Sequence, residues 1–106
     1  MKIKNLKDSE KANGTSFHNS TIVCTVNQLK EAIGEPVFEC NTGEDKSNFD
    51  WECELEDGTV FTVYDWKLYE VVDFDEWVDF HIGGFSYAET QKARKVLINE
   101  ISKQWT

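Results

Sequence analysis

The two histidines are the residues of this 106-residue chain whose side chains most readily transfer protons near neutral pH. A nucleophilic mechanism would need a Ser or Cys beside one of them, but neither His18 nor His81 lies in a nucleophile-elbow or Cys-His signature. A two-histidine phosphodiesterase would carry a Ser or Thr two residues after each His. Ser20 fits this spacing and Gly83 does not. We therefore expect that the protein is not an enzyme.

Cysteine and acidic residues do not indicate a metal site or a disulfide framework. Cys24, Cys40 and Cys53 are widely spaced and have no His at ligand spacing, so we expect reduced thiols inside the protein. The acidic run at residues 73–76 lacks the central Gly and the distal Glu of a calcium loop. The sequence predicts no metal and no cofactor.

The tetrapeptide Tyr64-Asp65-Trp66-Lys67 has the residue types of a nucleotide pocket. In a strand, Tyr64 and Trp66 point to one face and Asp65 to the other, with Lys67 at the end. Aromatic rings can stack on a base while a Lys ammonium holds phosphate. The structural alternative is a sheet edge whose aromatic rings cover a helix.

The pair Gly83-Gly84 is a second candidate for anion binding, because it directly precedes a helix that Ser86 would cap. Backbone amides at a helix N-terminus attract anions, and glycine lets a ligand approach closely. The alternative is a plain strand exit, in which Gly83-Gly84 breaks the strand and the helix begins.

Charge is distributed very unevenly along the chain. Residues 35–80 hold fifteen of the twenty acidic residues and only two cations, a local charge of −13 in a chain of −9. This charge disfavours direct binding to DNA or RNA and suits a basic protein partner or DNA mimicry. A strand after Asn48 alternates apolar and acidic residues, which predicts an acidic outer face. That face consists of Asp50, Glu52, Glu54 and Glu56.

Hydrophobic periodicity predicts one α+β domain over residues 1–106. We expect an antiparallel sheet of four to six strands, with a short helix and a long C-terminal helix packed on one face. An Asp57-Gly58 turn makes a hairpin. A three-residue loop would place Cys53 opposite Phe61, whereas a two-residue turn would shift the register and bring Tyr64 toward the core. We favour the three-residue loop.

Capping signals locate both helices. Thr25 and Gln28 form a capping-box pattern at the start of the short helix, and Gly34 ends it. Ser86 and Glu89 repeat the pattern before the long helix. The predicted apolar stripe of that helix is Ala93, Val96, Leu97, Ile101 and Trp105.

Several blocks between residues 14 and 84 together resemble a family of small proteins encoded by bacteriophages and prophages. They are Gly14-Thr15-Ser16-Phe17-His18, Gly34-Glu35-Pro36, Trp51-Glu52 with Asp57-Gly58, Tyr64-Asp65-Trp66-Lys67 and His81-Ile82-Gly83-Gly84. The resemblance implies antagonism of host defence. It extends to the Thoeris anti-defence sponges, which bind nucleotide-derived immune signals in pockets between subunits.

Two functions follow as expectations. The first is a non-enzymatic protein that sequesters a nucleotide-like signal and forms a homo-oligomer. Its ligand-binding residues would be Thr15, His18, Tyr64, Trp66, Lys67, His81, Gly83 and Gly84. The second is an acidic blocker or DNA mimic whose Asp50-to-Glu56 face docks on a basic host protein. Both imply a protein of the host-cell cytoplasm with no membrane and no direct nucleic-acid partner.

Overall fold

The computed structural model describes residues 1–7 and 10–105, which form one six-stranded antiparallel sheet and two α-helices. This architecture confirms the α+β prediction. The strands are β1 (Ile3–Asn5), β2 (Ser16–Cys24), β3 (Phe38–Glu39), β4 (Phe49–Leu55), β5 (Val60–Tyr64) and β6 (Val78–Gly84). The helices are α1 (Val26–Ala32) and α2 (Tyr87–Ser102), with 3₁₀ turns at Glu10–Ala12 and Lys103–Trp105. None of the helices so described is long and apolar enough to cross a membrane.

The strand order is β1-β4-β5-β6-β2, and β3 pairs with β4 at the end that β1 leaves open. In the β4–β5 hairpin Cys53 lies opposite Phe61, which confirms the expected register. The Leu55 backbone amide donates to the Thr59 carbonyl at 2.8 Å and closes a three-residue loop. Gly58 takes a φ of +90° in this loop, a conformation that favours glycine. The register places the odd-numbered residues of β4 toward the core and the acidic ones on the opposite face.

Both helices cover the apolar face of the sheet. Trp51 is fully buried there, and its indole Nε1 donates to the Gly34 carbonyl at 2.9 Å. Helix α1 begins after Thr25, which forms the predicted capping box with Gln28, and it buries Leu29 in the same core. The apolar faces of the helices and of the strands therefore pack together in one core.

Helix α2 begins at Ser86, whose hydroxyl accepts from the Glu89 backbone amide and donates to the Glu89 carboxylate, both at 3.2 Å. Its buried residues are Thr90, Ala93, Leu97 and Ile101, with Val96 partly buried. The prediction that Trp105 completes the apolar stripe is wrong. Trp105 is 69% exposed, because the chain tightens into a 3₁₀ turn after the helix and leaves the 3.6-residue period.

The prediction that Gly83-Gly84 breaks the strand is also wrong, because both glycines belong to β6 and pair with β2. A Cβ on Gly84 would lie 2.8 Å from Thr90 Cγ2 of α2. A Cβ on Gly83 would lie 2.5 Å from Thr62 Oγ1 on the opposite face. Glycine is needed here for close approach by neighbouring side chains.

Candidate functional site

The face of the sheet opposite the helices carries a cleft of about 330 Å³, within the size range of small-molecule sites. Strands β4, β5 and β6 form its floor, and the segment before β2 forms one wall. Polar residues from four parts of the chain therefore converge on one concave surface. The lining residues are Ala12, Thr15, Ser16, Ser47, Asp50, Glu52, Thr62, Tyr64, Trp66 and Gly83.

The wall is a short ordered turn held against the sheet. Ala12 ends the 3₁₀ turn Glu10–Ala12 and is buried. Its carbonyl accepts from the Thr15 hydroxyl at 2.8 Å and from the Thr15 amide at 3.1 Å. Lys11 Nζ lies 3.0 Å from Glu54 Oε1 of β4 and ties the turn to the floor. The wall thus places the Thr15 side chain at the cleft.

Glycine at position 83 keeps the floor of the cleft deep. Any side chain there would collide with the Thr62 hydroxyl, which itself lines the cleft. The backbone of Gly83 pairs with Thr62, and Tyr64 follows on the same face of β5. A flat part of a ligand could therefore approach the sheet backbone between these side chains.

Two carboxylates of β4 face the cleft. Asp50 and Glu52 alternate with core residues and are both half-buried. Burial, followed by the negative charges of Glu52 and Asp65, raises the pKa of Asp50 to about 7. A ligand that donates hydrogen bonds to this carboxyl would favour its charged form and lower the pKa again.

Asp65 holds together the two segments at the far end of the cleft. Its buried carboxylate accepts from the Asn48 backbone amide at 2.8 Å, the Asn48 side-chain amide at 2.9 Å and the Phe49 amide at 2.9 Å. The Lys67 backbone amide donates to the Lys46 carbonyl at 2.6 Å. The backbones of the two lysines therefore meet next to Trp66, although twenty-one positions separate them in sequence.

Trp66 lies between the floor of the cleft and these lysines. The Nζ atoms of Lys46 and Lys67 are 6.0 and 5.5 Å from the centroid of its ring, at cation–π distance. Lys67 has a φ of +54°, which is uncommon for a residue other than glycine. The only two cations of the acidic segment, residues 35–80, thus meet on one exposed aromatic ring.

A row of rings continues from Trp66 across the sheet. The ring centroids of Trp66 and Tyr64 are 6.0 Å apart, those of Tyr64 and His81 5.5 Å, and those of His81 and Phe17 4.0 Å. Burial lowers the pKa of His81 in this stack, against the opposing effect of the Asp79 charge. Its Nδ1 is buried, and no residue in the described part of the chain bonds to it. His81 thus lies beside Tyr64 on the neighbouring strand and is not among the residues that line the cleft.

Four of the eight predicted ligand-binding residues line the cleft, namely Thr15, Tyr64, Trp66 and Gly83. Lys67 lies next to Trp66. His18 lies next to the wall, with Nε2 3.2 Å from the Gly84 carbonyl oxygen and 3.3 Å from Ser16 Oγ. Gly84 faces α2 on the other side of the sheet.

The sequence interpretation missed several residues of this site. Asp50 and Glu52 were assigned to a protein-binding face, although the hairpin register puts them beside Tyr64 and Thr62. Alternation along the two strands was a sufficient signal for that grouping. Ser47 and Lys46 come from a loop and carry no such signal.

The predicted acidic face, Asp50 to Glu56, is not a flat open row of carboxylates. Asp50 and Glu52 lie in the cleft, and Glu54 pairs with Lys11 and keeps 17% of its side chain exposed. Glu56 is exposed beyond the strand, where its carboxylate accepts from the Lys2 backbone amide. The row is interrupted because the wall of the cleft crosses it.

Two other hollows lack this combination of groups. One of about 400 Å³ lies where β1 meets β4 and is lined by Lys2, Lys4, Glu54 and Glu56, with no aromatic ring. Another of about 140 Å³ is mostly apolar and includes Trp77 and Trp105. We therefore take the cleft over β4, β5 and β6 as the candidate site.

No protein-family model matches this chain, and no curated protein sequence is significantly similar to it. Within residues 1–7 and 10–105, no three His, Cys, Asp or Glu side chains are grouped closely enough to hold a metal ion. The residues that line the cleft, together with the two lysines beside Trp66, offer hydrogen bonding, aromatic stacking and charge pairing.

Proposed function

We propose that this protein is a non-enzymatic binding protein that takes a small nucleotide-like molecule into the cleft. Following the resemblance to phage and prophage proteins, we further propose that it sequesters a nucleotide-derived immune signal in the host cytoplasm and so antagonises host defence. The ligand and the biological role are separate parts of the proposal, and they are tested separately.

The observation that carries the proposal is the meeting of Lys46, Lys67 and Trp66 at one end of a hydroxyl-lined and carboxylate-lined cleft. A base can stack on an indole ring, and ammonium groups pair with phosphate. These two cations locally offset the negative charge of the chain, which would otherwise repel an anion.

Calorimetry with a panel of mononucleotides, cyclic nucleotides and ADP-ribose-type nucleotides tests binding. Lys67→Ala should weaken binding by about 1.5–3 kcal/mol, the usual range for a charged hydrogen bond. Lys95→Ala is the matched control, because Lys95 is exposed on α2, away from the cleft. Failure of the whole panel to bind would remove the ligand part of the proposal.

Protein purified from infected cells gives an independent measurement. Mass spectrometry of small molecules released on denaturation should detect the nucleotide, and Trp66→Ala should release less of it than Trp105→Ala, an exposed tryptophan elsewhere. Equal release from both variants would place the ligand outside the cleft. Sedimentation velocity on the same samples checks the predicted homo-oligomer.

The alternative is an acidic blocker that occupies a basic site on a host protein, and the charge of −13 over residues 35–80 favours it. Replacing Asp50, Glu52 and Glu54 together by Asn and Gln should then abolish inhibition of the host effector. The unmodified protein should also bind its target more weakly as salt rises. Inhibition that survives this triple substitution would remove the blocker function of that face.

A further inference from the structure

The cleft has two ends of opposite chemical character. Glu52 and Asp50 lie at one end, opposite Thr62 and Tyr64 of β5. Trp66 follows the end of β5, and its ring lies 6.0 Å from that of Tyr64. By the order of these residues along β4 and β5, its two lysines lie on the side of Trp66 away from Glu52 and Thr62. A ligand that fills the cleft therefore contacts acceptor-rich and cationic groups at separate points.

The carboxylate end favours a hydrogen-bond donor, which would lower the raised pKa of Asp50 and keep this group ionised. An ionised carboxylate only accepts, and Asp50 and Glu52 are both partly removed from water. The Thr62 hydroxyl can donate and accept, whereas the Thr15 hydroxyl already donates to the Ala12 carbonyl and can only accept from a ligand. A vicinal diol matches this set, because its two hydroxyls can donate to the carboxylates and accept from Thr62.

The cationic end requires an anion beside an aromatic surface. Asp65 and the bond between the Lys67 amide and the Lys46 carbonyl bring the backbones of the two lysines together beside Trp66, which lines the cleft. Phosphate is the anion that Lys ammonium groups commonly bind as point charges. The indole of Trp66, 42% exposed, offers the stacking surface between the two ends.

We propose that the cleft selects ribonucleotides over 2′-deoxyribonucleotides, with Asp50 and Glu52 accepting from the ribose diol and Lys46 and Lys67 holding the phosphate. Acidic side chains bind ribose 2′-hydroxyls in dinucleotide-binding folds for the same physical reason. This inference rests on the proposed nucleotide-binding function, and it assigns each end of the ligand to one end of the cleft.

Calorimetry with three ligands that share one base tests the assignment: a ribonucleoside monophosphate, its 2′-deoxy counterpart and the ribonucleoside without phosphate. The unmodified protein should bind the ribonucleotide at least about 10-fold more tightly than the deoxynucleotide, because loss of the hydroxyl leaves a half-buried carboxylate unpaired. Removal of the phosphate should weaken binding by a similar factor.

The variants separate the two ends. Glu52→Gln should reduce the ribose preference to about 3-fold or less and leave the effect of removing the phosphate unchanged. Lys67→Ala should reduce the effect of removing the phosphate and leave the ribose preference unchanged. Glu56→Gln, an exposed acid outside the cleft, is the control and should change neither.

Equal binding of ribonucleotide and deoxynucleotide by the unmodified protein would overturn this inference and leave the nucleotide-binding function standing. A ribose preference that survives both Glu52→Gln and Asp50→Asn would also overturn it, because other groups would then read the sugar. Absence of binding to any nucleotide would remove the proposed function itself.

Discussion

Each side of the sheet carries one aspartate and one glycine that matter, but the two pairs have different roles. On the helix-covered side, Asp65 accepts three hydrogen bonds and Gly84 receives the close approach of α2. On the cleft side, Asp50 lies half-buried beside other negative charges, and Gly83 keeps the floor open. Asp65 and Gly84 have their contacts within the protein. The second pair is left to face the cleft, which marks this side as the one that can receive a ligand.

Tryptophan substitutions should give the largest contrast between the two sides. Trp51→Ala should destabilise the fold by about 3–5 kcal/mol, because it removes a fully buried ring and its hydrogen bond to Gly34. Trp66→Ala, on the exposed side, should change stability by less than about 1 kcal/mol. Denaturant unfolding measures both, and equal losses would mean that Trp66 is part of the core.

Replacing each of the two aspartates by Asn should affect the stability of the fold differently. Asp65→Asn should destabilise by about 2–3 kcal/mol, because an amide cannot accept all three N–H groups that the carboxylate binds. Asp50→Asn should not destabilise, because it removes a charge that burial and its neighbours disfavour. Thermal melting of the two variants at neutral pH compares them. Destabilisation by both would indicate that Asp50 is also a structural acceptor.

Alanine substitutions at the two glycines should distinguish an effect on stability from an effect on ligand binding. Gly84→Ala should cost about 1–3 kcal/mol, since the new methyl group meets Thr90 of α2. Gly83→Ala meets the Thr62 hydroxyl, which can rotate, so we expect a smaller loss of stability and a partly filled cleft. Unfolding and nucleotide calorimetry on both variants measure this difference. Normal ligand binding by Gly83→Ala would place the ligand away from the floor.

Acid titration should give the smallest and most specific effect. The pKa of Asp50 is raised to about 7 in the folded protein, so the folded state binds more protons than the unfolded state between roughly pH 4 and pH 7. The contribution of Asp50 to stability is therefore present at low pH and is lost as pH rises through this range. Asp50→Asn should be more stable than the unmodified protein by about 1 kcal/mol at pH ~8, after allowance for solvent screening. The two proteins should converge near pH ~3, and a constant difference across the range would contradict the raised pKa.

Local sequence signals predicted much of the framework. The Thr25–Gln28 capping box, the alternation of β4 and the three-residue hairpin loop each depend on contacts between residues close in sequence. The Trp105 prediction failed for a local reason, because the 3₁₀ turn after α2 leaves the helical period, whereas distant segments were responsible at Gly83-Gly84. Gly83-Gly84 was interpreted as a strand break, but the approach of Thr62 and α2 explains both glycines.

In the candidate site, too, local sequence signals identified some residues and contacts between distant segments decided the others. Tyr64 and Trp66 could be grouped in advance because residues two apart in an extended chain point to one side, and Lys67 follows directly, although β5 ends at Tyr64. Lys46 could not, because it lies in the nine-residue loop between β3 and β4, and the bonds of Asn48 to Asp65 hold the end of that loop near Trp66. His81 was expected to contact the ligand, and the structure places its ring between those of Tyr64 and Phe17, outside the lining of the cleft.

The sequence by itself determined the α+β class, the helix starts, the hairpin register and the concentration of acidic charge in residues 35–80. Hydrophobic period, side-chain caps and turn chemistry act over a few residues, so they can be read without the fold. Only the tertiary structure decided that the acidic row is crossed by the turn at Ala12 and that the two lysines meet on one ring. These features depend on contacts between distant segments, and such contacts form only when packing of the core fixes where each loop lies.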